Sequence, residues 1–192
     1  MFAEFETFIR ERTDLSDADI EVIRSLAIEK IVRKKESLLH AGEVCRYKMF
    51  VSKGLLRTFC TKEDGSDYIL QFSPENSWTT DPESFDKLIP SVCNIDALEY
   101  SEVIMWTKED FNYLFANIPG LKAYTQKLIV QNMYVVRQRV LSVISSTPEE
   151  KYDEFIKNYP NVFARVPLHM VASYLGVSTK TLSRIRHAQL VR

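Results

Sequence analysis

The chain has 192 residues, a formal net charge of -1, 45% hydrophobic and 27% charged residues and only 5 glycines, a composition that suits one ordinary domain or two small ones and excludes a disordered or fibrous chain. No apolar run approaches the roughly 20 residues of a membrane span, and the amphipathic start MFAEFETFIRERTDL lacks the layout of a signal peptide, so the expected location is cytoplasmic, with no membrane partner. The 3 cysteines and 3 histidines are too scattered for a zinc site, an iron–sulfur cluster or a catalytic metal, so neither an enzyme nor a bound cofactor is expected, and Cys45, Cys60 and Cys93 read as buried small hydrophobes.

Phe5, Phe8 and Ile9 recur at helical spacing, and Ser16 or Asp17 is placed to cap a second helix carrying Ile20, Ile23 and Leu26. From Ile28 the texture changes to short runs of Val, Ile, Tyr and Phe broken by the turn compositions HAGE, SKG, EDGS and SPEN. That pattern predicts an antiparallel barrel with strands Ile28–Arg33, Tyr47–Ser52, Gly54–Thr61, Ser66–Phe72, Val92–Ala97 and Ser101–Thr107. Lys108 opens a short helix through Phe115, Pro119-Gly120 breaks it, and a long helix is predicted from Leu121 to about Ser145. In it Ile129, Met133, Val136, Val140 and Val143 form one stripe, with Leu121, Leu128 and Val135 at a heptad interval beside it. A helix of about 36 Å with two apolar faces outreaches a small barrel, and a second copy of the chain is the expected cover for its far face.

A helical unit follows, with Pro148 at a helix start, Tyr152, Phe155, Ile156 and Tyr159 inside and Pro160 as a stop. Then comes VASYLGVSTKTLSRIR, residues 171–186, in which Met170, Val171, Tyr174 and Leu175 make an inner face and Gly176 supplies a positive φ. Ser178 caps a second helix whose inner face is Val177, Leu182 and Ile185. From Arg165 onward there is no Asp or Glu. The outer face offers Thr179, Lys180, Ser183, Arg184 and Arg186, with Ser178 and Thr181 at its start. Phosphates reward cations and base edges reward fork-shaped or short polar donors, so this face suits duplex DNA, and Arg184 has the strongest claim to a base. Arg186, His187 and Arg192 are placed for phosphate or solvent.

LLHAGEVCRYKMFVSKGLLRTFCTKEDGSDYILQFSPENSW, the long helix and VPLHMVASYLGVSTKTLSRIR together resemble the catabolite-activator and fumarate–nitrate-reduction regulator (CRP/FNR) family over nearly the whole chain. The resemblance implies an α+β protein with an N-terminal double-stranded β-helix (jelly-roll) sensor barrel in residues 1–115, a dimerisation helix in 116–147 and a helix-turn-helix in 148–192. It implies a homodimeric transcription regulator whose second helix lies in the major groove, with double-stranded DNA, a small-molecule effector and RNA polymerase as partners. Two departures from the family pattern matter. Where cyclic-nucleotide-binding members hold the ribose and cyclic phosphate, this chain reads ENSWTTDPESF and PSVCNIDALE, with no glycine or arginine and with Asp81, Glu83, Asp86, Asp96 and Glu99 uncompensated. Cyclic AMP is therefore not expected to bind in the usual way, and Trp78, Asp81, Ser84 and Phe85 are either a pocket for another effector or a structural turn. The chain also stops soon after the second helix, as in a branch without the β-hairpin wing. A rival reading is a small-molecule-binding module whose helical tail contacts a protein.

Overall fold

The apolar runs in the middle of the chain lack a clean hydrophobic–polar alternation because several of their strands are covered on both faces. In the computed structural model, which describes residues 1–190, helices α1 (Phe2–Arg10) and α2 (Asp17–Ser25) precede strands β1 (Ile28–Val32), β2 (Ser37–Leu39), β3 (Tyr47–Lys53), β4 (Leu56–Thr61), β5 (Asp67–Ser73) and β6 (Ser77–Thr79). Helix α3 (Pro82–Lys87), strands β7 (Asn94–Ala97) and β8 (Ser101–Thr107), and helices α4 (Lys108–Asn117) and α5 (Pro119–Ser145) follow. The chain then continues through α6 (Pro148–Asn158), α7 (Pro160–Phe163), α8 (Leu168–Leu175) and α9 (Thr179–Leu190).

The strands form two antiparallel sheets, ordered β1-β8-β3-β6 and β2-β7-β4-β5, the face-to-face arrangement of a jelly-roll sandwich. Met49, Val51, Val103 and Met105 point between the sheets, where they meet Leu56, Ile95 and Ala97. Their neighbours Phe50, Ile104 and Trp106 point outward into a second core with Phe5, Ile9, Ile20 and Ile23 of the first two helices and Phe111, Leu114 and Leu121 of α4 and α5. Trp106 also donates its indole N–H to the Ile23 carbonyl at 3.0 Å, which ties α2 to the first sheet. A third core covers the outer face of the other sheet: Leu55, Phe59, Ile69 and Phe72 pack with Tyr152, Phe155, Val162, Val171, Leu175, Leu182 and Ile185 of the C-terminal helices.

All six predicted strands are present, with ends shifted by at most two residues. Strands β2 and β6 escape sequence reading because each has three residues and lies at a sheet edge, too short for a period-2 pattern to develop. Helix α3 was legible only as a turn, although Asp81 followed by Pro82 is an N-cap and first-turn pair. Pro119 opens α5 instead of standing before it, and Pro160 both ends α6 and opens α7.

Gly54 joins β3 to β4 with φ at 95°, and a Cβ there would lie 2.6 Å from both the Ser101 Cα and the Tyr100 carbonyl oxygen. Backbone cannot retreat as a flexible side-chain tip can. We expect Gly54→Ala to lower unfolding stability by about 3 kcal/mol or more in denaturant melts, whereas Gly65→Ala, also at positive φ but with nothing near, costs only about 1–2 kcal/mol.

Candidate nucleic-acid interface

Helices α8 and α9 are joined by a turn that the local sequence dictates. Gly176 takes φ 68°, the Val177 N–H bonds back to the Ala172 carbonyl at 3.0 Å and the Gly176 N–H to that of Ser173, so α8 ends in a Schellman motif. Two residues later the Ser178 hydroxyl accepts the Thr181 backbone N–H at 3.0 Å and shares a second hydrogen bond with the Thr181 hydroxyl at 2.8 Å. Val171, Ala172 and Leu175 on one helix and Leu182 and Ile185 on the other are buried together. The turn and the shared inner face leave the opposite side of α9 in solvent.

That side carries Thr179, Lys180, Ser183, Arg184, Arg186 and His187, all exposed. At 100° per residue they span an arc of about 160°. Ser178 and Thr181 are engaged within the chain instead, since their hydroxyls cap the helix and Thr181 is half-buried. Arg184 has its side chain 76% exposed and faces Glu149, on α6, at 3.8 Å. Such a loose surface pair contributes little and leaves the guanidinium able to re-pair. The predicted position of Arg192 lies outside the described residues.

The four residues singled out beside the barrel do not share one cavity. Asp81 caps α3 by accepting the backbone N–H groups of Glu83 and Ser84, and it also accepts the Ser91 hydroxyl. Ser84 is buried, receiving the Cys45 N–H at 2.8 Å and donating to the Ile89 carbonyl at 2.6 Å, and Phe85 packs edge-on to Phe111. These three build a structural turn. Trp78 alone borders a cavity of about 450 Å³ between the barrel and α5, together with Lys48, Gln71, Tyr124, Leu128 and Asn132. Burial lowers the pKa of the Lys48 ammonium there. Among the described residues no cluster of side chains suits a metal ion, and no helix is long and apolar enough to cross a membrane.

Residues 29–117 match the sequence profile of the cyclic nucleotide-binding domain family. That match spans the barrel and α4. No curated protein matches the sequence. Among solved structures, FixK2 from Bradyrhizobium japonicum aligns with a TM-score of 0.73 at 16% identity, covering 86% of this chain and 85% of that one. The c-di-GMP-responsive global regulator CLP from Xanthomonas campestris aligns with a TM-score of 0.73 at 10% identity, covering 92% of each chain. A protein described as a CRP/FNR-family transcriptional regulator, from Eubacterium rectale, aligns with a TM-score of 0.69 at 17% identity, covering 92% of this chain and 85% of its own. At these identities the likeness establishes the fold alone.

One expectation about the barrel needs correction. Of the five carboxylates expected to stand uncompensated, three, Glu83, Asp96 and Glu99, are compensated by cations that lie outside the two segments. Arg57 on β4 forks onto Asp96 of β7 at 2.8 and 2.9 Å, Lys87 pairs with Glu83 one turn away at 2.8 Å, and Glu99 is held by Arg165. A search confined to two short segments of sequence contains none of the partners that lie on neighbouring strands.

Arg165 also leaves the basic tail to which its sequence position assigns it. Its guanidinium bridges Glu75 at 2.8 Å, in the β5–β6 turn, and Glu99, in the β7–β8 turn, so it fastens the helical unit to the domain. Two further ties act on edge strand β5: the Ser173 hydroxyl accepts the Ile69 N–H at 3.1 Å and donates to the Asp67 carbonyl at 2.6 Å. Arg139 of α5 donates to the carbonyls of Ile69, Leu70 and Tyr174. Burial pushes the Glu75 carboxyl up, but hydrogen bonds from Arg165 and from the Gly54 N–H outweigh it, and its pKa falls below the ordinary 4.5. The stabilisation is therefore complete above that value and is lost as the pH drops through the lowered folded value. We expect Arg165→Ala, which leaves two carboxylates facing each other, to cost about 1–2 kcal/mol in melts at pH 7 after allowing for partial exposure, and the gap from wild type to narrow as the pH falls through the lowered Glu75 value.

Proposed function

We propose that the protein is a homodimeric, sequence-specific DNA-binding transcription regulator, in which α8 and α9 form a helix-turn-helix and α9 enters the major groove. The observation that carries this reading is the solvent-facing arc of α9, which holds Lys180, Arg184 and Arg186 with short polar side chains between them and no carboxylate of its own. Thr179, Ser183 and Arg184 are the base-reading candidates, and Lys180 and Arg186 serve phosphates. Ser178 and Thr181 act one step back, by fixing the start of the helix. On this reading residues 1–115 sense, 116–147 dimerise and 148–192 bind DNA.

Dimerisation through α5 is supported by what the helix leaves in water. Ile129, Met133, Val136, Val140, Val143 and Ile144 are each more than half exposed along one side, a stripe of about 22 Å that a single copy of the chain does not cover. Leu121 drops out of that seam because it is spent inside its own chain's core, at 1% exposure. Leu128 is half-buried beside the cavity and Val135, although exposed, turns toward it, so they connect the stripe to the barrel. An effector lodged beside Trp78 touches α5 directly and biases the relative orientation of the two DNA-reading helices, which is the only way a ligand can act on this equilibrium. Cyclic AMP is not that effector on our reading, since ENSWTTDPESF and PSVCNIDALE, which stand where the family holds ribose and cyclic phosphate, contain neither glycine nor arginine.

Selection from a random duplex library at two salt concentrations, with and without excess cyclic AMP, tests the function as a whole. A two-fold symmetric site indifferent to the nucleotide is expected, and no enriched sequence at either salt overturns the DNA reading in favour of a helical tail that binds protein. On the selected site Arg184→Ala should weaken binding by about 1–3 kcal/mol, roughly 5- to 150-fold, and relax the preference at one base pair. Met133→Glu, at a position 66% exposed in the single chain, should leave the thermal melt of the fold intact but give the mass of one chain by light scattering and abolish tight binding.

A further inference from the structure

Cys60 and Cys93 are far apart in sequence but meet in the second sheet. The ladder between β4 and β7 pairs Leu56 with Ala97, Arg57 with Asp96, Thr58 with Ile95 and Phe59 with Asn94, so the next rung sets Cys60 opposite Cys93. Residues opposed across antiparallel strands have Cα atoms about 4.5–5.5 Å apart, inside the range that a disulfide spans without moving backbone. The two sulfurs are already in contact at 3.1 Å. Cys93 is held by Ser91, whose hydroxyl accepts the Cys93 N–H at 2.9 Å while its own proton goes to Asp81. Cys60 is half-exposed whereas Cys93 is buried, so one sulfur of the pair can be reached from solvent and the other waits behind it. The third cysteine, Cys45, is buried in the core between the sheets and contacts Thr80, not a thiol.

We propose that Cys60 and Cys93 form an oxidisable dithiol that closes into a reversible cross-strand disulfide on reaction with hydrogen peroxide or a related small peroxide. In the first step the Cys60 sulfur attacks one peroxide oxygen, the O–O bond breaks, and Cys60 becomes a sulfenic acid while one water leaves. In the second the Cys93 sulfur attacks the Cys60 sulfur, the S–O bond breaks, and the Cys93 proton departs with the hydroxyl as a second water. Two thiols are oxidised by two electrons, and one peroxide is reduced to two waters. Burial, the hydrogen bond to Cys60 and the nearby Asp81 carboxylate push the Cys93 thiol up to about 12, so Cys93 keeps its proton and donates it toward Cys60 in the reduced state. This order assigns the oxidant-facing role to Cys60 and the resolving role to Cys93. The new bond adds a covalent rung beside the β4–β5 hairpin, the same hairpin whose Asp67 carbonyl and Ile69 N–H hold Ser173 of α8.

The test uses the full chain and needs no DNA. Reduced protein is treated with a small excess of hydrogen peroxide, quenched with N-ethylmaleimide, unfolded, labelled with a second, heavier maleimide and digested for mass spectrometry. We expect a Cys60–Cys93 linked peptide that has lost two hydrogens, a single-chain mass, an alkylatable Cys45, and full recovery of both thiols with dithiothreitol. In Cys93→Ser, checked for folding by circular dichroism, Cys60 should stop at the sulfenic acid and be trapped by dimedone. Oxidation of Cys60 to sulfinic acid without the link in wild type, a disulfide between two chains, or Cys45 oxidising as fast as Cys60 would each overturn the assignment.

Discussion

The outer face of the second sheet presents Phe59, Ile69 and Phe72, and these side chains need a cover. Each is worth about 1.5–3 kcal/mol when removed from water. The C-terminal helices provide it with Tyr152, Phe155, Val171 and Leu175, so the part of the protein that offers its polar arc to solvent is also a wall of the barrel's own surroundings. Because one apolar core serves both, a change in the barrel reaches α8 through packed side chains and not through a flexible tether.

Around that core the polar ties have a common direction. Arg165 reaches two turns of the barrel, Ser173 satisfies both a donor and an acceptor of an edge strand, and Arg139 brings α5 onto carbonyls of the same strand and of α8. Strand β5 would otherwise leave an unpaired row of backbone groups at the sheet edge, the situation that invites pairing with another chain. Covering it with a serine and an arginine protects the edge and fixes how the long helix and the helix pair sit on it. The barrel spends Arg57 and borrows Arg165 to hold its carboxylates, while the cations of α9 stay exposed.

Much of this was legible in the residues alone. The change from helical to alternating texture at Ile28, the break before α5, the Gly176 turn and the Ser178 cap are local signals, governed by backbone torsions and near-neighbour hydrogen bonds that a short window contains. The acid-free face of α9 was legible for the same reason. The two three-residue strands were not, since pairing across a sheet defines them and no pattern develops within them. Nor was the fate of Asp81 and Ser84, which a sequence offers to a ligand or to a turn, and which the turn takes.

What the sequence by itself determined is therefore the order of elements and the chemistry of each exposed helix face, because both follow from periodicity and capping within a few residues. Only the tertiary structure decided which groups neutralise each other and which meet. Arg165 belongs to Glu75 and Glu99 and not to the basic tail, Leu121 belongs to its own core, and Cys60 faces Cys93. The physical reason is register: these partners are separated by tens of residues along the chain, and only hydrogen-bonded pairing of distant strands and the packing of helices over them bring their side chains within reach.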